Sequence, residues 1–211
     1  MRVTIFGASG GIGRHVREQA RANGHELTLF AREPSSLYPL AEGERVVAGD
    51  IGDAERVSEA VAGSEAVISA VGPTANSPDQ VVLFESFAHA LVTAMERHGV
   101  QRLVALSGAG VTAPKEQKRL PDRLVSAIVG RIVRHVVMAK QRELEIIAAS
   151  SIEWVAPRPP RVNEGPATGI YKVGDHAIGP RSRISQADLA HFMVSQLTDD
   201  RHIRSAPFIS S

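Results

Sequence analysis

The chain contains no cysteine among its 211 residues. Disulfides, thiolate nucleophiles and thiolate metal sites are therefore excluded, and the redox compartment stays open. Excess charge of either sign is also missing, since the net charge is +1. That removes any strong general attraction to nucleic acid or to an anionic membrane surface. A basic run between two prolines, APKEQKRLPD, reads as a solvated loop. Long hydrophobic runs are absent too. The most apolar stretch, Leu124 to Ala139, is cut by Arg131, Arg134 and His135, too short and too charged to span a bilayer. No apolar leader precedes the first strand, so a cytoplasmic location is expected. Only two tyrosines occur, Tyr38 and Tyr171.

What is present suits one sizeable soluble domain, with 43% hydrophobic and 22% charged residues. The chain opens with MRVTIFGASGGIGR. Val3, Thr4, Ile5 and Phe6 read as a buried strand, Gly7, Gly10, Gly11 and Gly13 as a turn, and the residues behind them as a helix. Glycines let the main chain approach a ligand, and the first amides of a helix lack internal partners. With the helix dipole, this makes a cradle for a dinucleotide pyrophosphate. The spacing reads equally as GxxGxxG and as GxxxGxG.

A second strand, ELTLFAR, ends in Arg32, about twenty residues beyond the glycines, where a dinucleotide ribose is read. An arginine there suits the 2′-phosphate of NADP, with Arg14, Ser35 and Ser36 in support. Its neighbour Glu33 would serve NAD instead. RVVAGD is a third strand whose terminal Asp50 either accepts from an adenine amino group or starts a turn. The fourth strand exits through Val71, Gly72 and Pro73, in line with the ligand crevice. A long helix follows from a capping Ser77 and Pro78, with Phe84, Phe87, Leu91 and Met95 as core. The fifth strand ends at Ser107. A bent helical region then covers 124–151, and the sixth strand runs into APRPP, where Arg158 and Arg161 face a ligand. Ser185 and Asp188 form a capping box on the last helix. The alternation predicts an α/β fold, a single doubly wound Rossmann-type domain over 1–211 with strand order 3-2-1-4-5-6. Residues from about 158 onward form a small substrate-side extension.

GASGGIG, AGDIGD, VISAVGP, LVALSGAG, APRPP and ISQADLAHFM occur in an order that resembles the atypical short-chain dehydrogenase/reductases, the NmrA-like NAD(P)H-binding group. Within it the chain is similar to NADPH-dependent flavin reductases that also reduce biliverdin-IXβ; ATGIYKVGDHAIGPRSRISQADLAHFM carries the most specific likeness. The resemblance implies pyrophosphate contacts around Gly7, Ser9, Gly10, Gly11, Ile12 and Gly13, with Arg32 and Ser36 near the 2′-phosphate. It implies Asp50 and Ile51 at the adenine, Val71 and Gly72 at the nicotinamide ribose, and Ser107 beside the nicotinamide. Ser36 stands where that subgroup has a second arginine. Lys140 and Arg161 stand where it carries histidines.

The YxxxK pair of ordinary short-chain dehydrogenases is absent: Glu42 and Asp175 lie four residues beyond the two tyrosines. Reducing a carbonyl needs a proton donor at its oxygen. A flavin, quinone or tetrapyrrole takes hydride into a conjugated system and its proton from solvent. The expected function is an NADPH-dependent reductase of such acceptors, with Ser107, Lys140 and Arg161 as candidate catalytic groups. The resemblance also implies Lys140 as a cofactor-binding residue near the nicotinamide ribose and the substrate; its ammonium meets the reduced acceptor or the phosphate of FMN, and Arg161 meets that phosphate. A flavin enters as substrate, and no metal or nucleic-acid partner is expected. The protein is expected to be a monomer or a weak homo-oligomer. The alternatives are an NADP-binding sensor without turnover and a scaffold binding RNA or protein.

Overall fold

The computed structural model describes residues 1–114, 116, 133–175 and 182–211. The helix expected over 124–132, its bend near Gly130, most of the basic run and the middle of GIYKVGDHAIGPRSR lie outside the described residues. Six strands form one parallel sheet: β1 (Arg2–Phe6), β2 (Glu26–Ala31), β3 (Glu44–Ala48), β4 (Ala66–Ser69), β5 (Arg102–Ala105) and β6 (Glu153–Val155). Their order is β3-β2-β1-β4-β5-β6, the doubly wound arrangement expected from the alternation. Val3 pairs with Leu27 on one side and Ala66 on the other, so β1 is central.

Helices cover both faces: α1 (Gly11–Ala22), α2 (Ala54–Val61), α3 (Pro78–His98), α4 (Arg134–Ala149) and α5 (Gln186–Ser195). Alternate strand residues serve separate cores. Val3 and Ile5 pack in a core shared with Val16 of α1 and Leu189 and Met193 of α5. Phe6, Val67 and Leu103 pack with Phe87 and Leu91 of α3 and Leu144 of α4. Because both faces are dry, strands read as nearly continuous apolar runs. The one polar interruption in β1 is satisfied: the buried Thr4 hydroxyl donates to the Ala60 carbonyl at 2.7 Å.

Helix ends follow local chemistry. Gly24 takes φ +76° just beyond α1, and Gly99 takes +69° at the end of α3. Ser77 stands at the N-cap of α3, but its side chain makes no capping bond. The capping box is half formed. The Ser185 hydroxyl accepts from the Asp188 amide at 3.0 Å, yet Asp188 does not reach back. Its buried carboxylate accepts instead from the Thr168 amide (2.7 Å), the Thr168 hydroxyl (2.8 Å) and the Gly169 amide (2.8 Å). The preceding loop brings three donors where the box offers one.

The last quarter of the chain does two jobs. α5 completes the core over α1, while two short ladders stand apart from the sheet. β7 (Val162–Asn163) pairs in parallel with β9 (Ile184–Ser185), and β8 (Lys172–Gly174) pairs antiparallel with β10 (Phe208–Ser210). Among the described residues no helix is long and apolar enough to cross a membrane.

Candidate dinucleotide site

The cradle is built from two glycines that packing requires and one that it does not. Gly7 has φ +80°, and a Cβ there would lie 3.1 Å from the Ala70 carbonyl carbon and the Val71 nitrogen. On Gly13 a Cβ would sit 1.9 Å from the Gly7 carbonyl oxygen, so only glycine lets α1 dock on this turn. At Gly10 the nearest atom to such a Cβ is 3.4 Å away, and the residue opens on a hollow. Gly11 instead faces the Gln186 side chain at the start of α5. Both readings of the spacing share Gly7 and Gly13; of the two glycines between, Gly10 is the one that lines the hollow.

Helix α1 starts without a side-chain cap and without an acid in its first turn. The amides of Gly11, Ile12 and Gly13 have no partner among the described residues. Free amides, the dipole and glycine-limited sterics fit an anionic pyrophosphate.

The hollow beside the cradle has a volume of about 250 Å³. Its wall brings together Gly7, Ser9, Gly10, Arg32, Asp50, Ile51, Val71 and Gly72. Gly49, Thr74, Gln80, Leu83 and Phe84 join them, without having been anticipated. Gly49 carried a signal, a glycine at a strand end: a Cβ there would meet Phe30 at 2.9 Å and Arg56 at 2.8 Å. Phe84 serves both roles, buried in the aromatic cluster with Phe87 (6.5 Å between centroids) and forming part of the hollow's lining. Gly11, Ile12, Gly13, Ser36, Ser107, Lys140 and Arg161 are not on that wall. A larger hollow of about 430 Å³ opens at the opposite strand ends, by Arg2, Glu26 and Gly43, but no helix N-terminus faces it.

At the β2 end, Arg32 is exposed and has neither hydrogen bond nor ion pair among the described residues. Arg14 lies against the cradle, its Nε donating to the Ser9 carbonyl at 3.1 Å. Ser35 and Ser36 sit on a 3₁₀ turn, Pro34–Leu37, where the Ser36 hydroxyl donates to the Glu33 carbonyl at 2.7 Å. Asp50 makes the turn that its position allowed: Oδ1 accepts from the Gly52 amide at 2.9 Å, and Oδ2 has no hydrogen bond among the described residues.

The β4–β5 end is different. Ser107 lies just past β5, its amide donating to the Pro157 carbonyl at 3.0 Å. Its hydroxyl is buried and has no partner among the described residues, an unusual state for such a group. Lys140 is not the outward cation expected from the sequence. It is 6% exposed, its Nζ donates to the Val71 carbonyl at 3.0 Å, and it forms an ion pair with Glu143. The ammonium also lies over the Phe84 ring, 5.0 Å from its centroid. Burial in the α3–α4 contact turns the side chain inward. Burial likewise pushes the Glu143 carboxyl up from its usual range, against the pull of Lys140.

Arg158 is also turned away from any ligand. It is 2% exposed, pairs with Glu116 at 2.6 Å, donates to the Ala206 and Val111 carbonyls, and stacks on Phe208. Arg161 is exposed, and its side chain has no partner among the described residues; its carbonyl accepts from Ile184 at 2.9 Å. Neither tyrosine reaches the hollow. Tyr38 is exposed, and the Tyr171 hydroxyl meets His191 Nδ1 at 2.8 Å beside α5. Glu143 was missed by sequence reasoning, because a glutamate three residues after a lysine normally marks a solvated helix face.

Known proteins share this architecture. The chain is similar to the uncharacterized protein YwnB of Bacillus subtilis, 25% identical over 210 residues, covering 96% of this chain and 94% of that one. It is 34% identical over 126 residues to a 3-diazoavenalumate denitrifying reductase of a Streptomyces species. That match covers 54% of this chain and only 40% of the reductase. Among solved structures, ChuY, an anaerobilin reductase from Escherichia coli O157:H7, superposes with a TM-score of 0.82 at 18% identity, covering 100% of this chain and 97% of that one. The oxidoreductase ylbE from Lactococcus lactis superposes at 0.81 and 17% identity, covering 100% and 91%. At such identities the superpositions speak for the fold alone. The family model described as NAD(P)H-binding matches residues 7–200, from the first cradle glycine to beyond α5. With that match added to the sheet order and the glycine-limited cradle, the chain belongs to the NAD(P)H-binding family.

Proposed function

We propose that this protein is an NADPH-dependent reductase that passes hydride to a flat conjugated acceptor: a flavin, a quinone or a tetrapyrrole. The observation that carries the cofactor choice is Arg32. It lines the hollow, is exposed and has no carboxylate partner among the described residues, so its guanidinium is free for a 2′-phosphate. In this reading the free amides of Gly11, Ile12 and Gly13 hold the pyrophosphate. Asp50 Oδ2 accepts from the adenine, and Val71 and Gly72 border the nicotinamide ribose. Bound NADPH supplies the hydride. The buried Ser107 hydroxyl gains a partner when the nicotinamide end is filled. No tyrosine lines the hollow, so the chain has no phenolic acid for carbonyl reduction, and a conjugated acceptor draws its proton from water. The names of the Streptomyces reductase and of ChuY agree with reductase chemistry in this fold. The exposed Arg161 remains the cation available to a phosphorylated acceptor such as FMN.

A second reading, an NADP-binding sensor without turnover, is favoured by one feature: Lys140 is turned inward and offers its charge to no acceptor. Titration with NADPH and NADH, followed by NADPH oxidation with FMN, a benzoquinone or a linear tetrapyrrole, separates them. Tight NADPH binding with acceptor-dependent oxidation supports the reductase. Binding with no oxidation by any acceptor selects the sensor, and equal affinities for the two dinucleotides overturn the role of Arg32.

A further inference from the structure

The exit of β4 is gripped from two sides. On one side the Ala70–Val71 peptide passes Gly7 so closely that a Cβ there would come within 3.1 Å of it. On the other, the Val71 carbonyl accepts from Lys140 Nζ at 3.0 Å. Lys140 is in turn tied to Glu143, one turn on along α4, and covered by Phe84 from α3. Val71, Phe84 and Gly7 all line the hollow, while Lys140 and Glu143 lie behind it.

The pair is a poor device for stability alone. Both side chains are almost wholly buried, at 7% and 3% exposure, and desolvating two charges offsets most of their attraction. Glu143 Oε1 is moreover buried with no partner among the described residues. Replacing a buried ion pair by two apolar side chains of similar size is often neutral or stabilising. What they could not do is hold the Val71 carbonyl.

We infer that Lys140 and Glu143 form a buried positioning pair, in which Glu143 anchors the ammonium and the ammonium fixes the β4 exit against the cradle, setting the width of the crevice where the cofactor's nicotinamide half lies. The inference rests on the reductase reading of the site. Lys140 acts through Val71 and not on the acceptor, so the pair governs how the dinucleotide is seated and how productively the hydride is presented.

The test uses the full chain and three proteins: wild type, Glu143→Gln, and the double variant Lys140→Met with Glu143→Met. Melting temperature, NADPH dissociation constant by cofactor fluorescence, and steady-state kcat and KM with FMN are measured on each. Glu143→Gln leaves a buried ammonium without its counter-charge, so both melting temperature and NADPH affinity fall. The double variant removes both charges together. It recovers the melting temperature of wild type but not its binding, with the NADPH dissociation constant raised about tenfold and kcat lowered while KM for FMN stays unchanged. A double variant that melts, binds and turns over like wild type overturns the inference while leaving the reductase reading intact. A wild-type protein that binds no dinucleotide overturns the reading, and the pair's role with it.

Discussion

The two ends of the crevice solve the problem of charge in opposite ways. At the β1–β2 end the chain presents open backbone and an exposed cation: the first amides of α1, without partners among the described residues, a bare Gly10 and Arg32. At the β4–β5 end the cations are internal. Lys140 is locked to Glu143 and Val71, and Arg158 to Glu116, Val111 and Ala206. The first arrangement leaves charge for a ligand to neutralise. The second consumes charge in holding main-chain carbonyls where they are. A substitution at the first end should therefore cost binding and spare stability. At the second end, removing one member of a buried charge pair should cost stability, and at Lys140–Glu143 binding as well.

The largest expected effect is at Arg158. Arg158→Ala strips the half-buried Glu116 of its partner and removes the Arg158 donors to the Ala206 and Val111 carbonyls. The loss should be about 3–5 kcal/mol in denaturant unfolding. A loss below about 1 kcal/mol, within the surface range, would mean that Arg158 is not the strut described here.

Next come the two cradle glycines, which sharpen the contrast within a single turn. Gly13→Ala drives a Cβ into the Gly7 carbonyl and should destabilise by about 3 kcal/mol. Gly10→Ala meets nothing closer than 3.4 Å and should change stability by no more than about 0.5 kcal/mol while weakening NADPH. Denaturant midpoints beside fluorescence titrations of the two variants decide it; equal midpoints would put the packing requirement elsewhere.

Asp188 extends the comparison to pH. Burial alone would raise its carboxyl, but bonds from the Gly169 amide and from the Thr168 hydroxyl and amide outweigh it and hold the carboxyl below its ordinary range. A carboxyl held lower in the fold than in the unfolded chain contributes stability above about pH 4, lost as the pH falls further. Asp188→Asn should cost about 1.5–3 kcal/mol at neutral pH. Wild type and variant should converge toward pH 3, and a gap that stays constant with pH would show that the carboxylate charge is irrelevant.

The smallest effect on the fold is expected at Arg32. Arg32→Ala should leave the melting temperature unchanged, weaken NADPH by about 1.5–3 kcal/mol and spare NADH. Loss of both dinucleotides in parallel would place Arg32 in general binding and not in cofactor choice.

How far the site was legible depended on whether a residue works through its backbone or through its side chain. Gly7, Gly10 and Gly13 stood out because their roles are steric and local, as did the strand ends at Arg32, Asp50, Val71 and Gly72. Ser185 was recognised as a cap from its spacing to Asp188. What Asp188 itself binds was not, because Thr168 and Gly169 lie twenty and nineteen residues away in the chain. Phe84 read as core from its helical spacing, and its place on the hollow wall depends on where α3 crosses the exit of β4.

The sequence by itself determined the doubly wound sheet and its strand order, because alternating apolar strands and amphipathic helices with a phosphate turn admit few other arrangements. It also determined where the dinucleotide cradle begins. Only the tertiary structure decided which charges face a ligand. Lys140, Arg158 and Arg161 are the same kind of residue on paper, and the packing of α4 on α3 and of β6's exit against Phe208 separates two buried struts from one exposed cation. A side chain's solvation is set by neighbours distant in sequence, and that is information no local spacing carries.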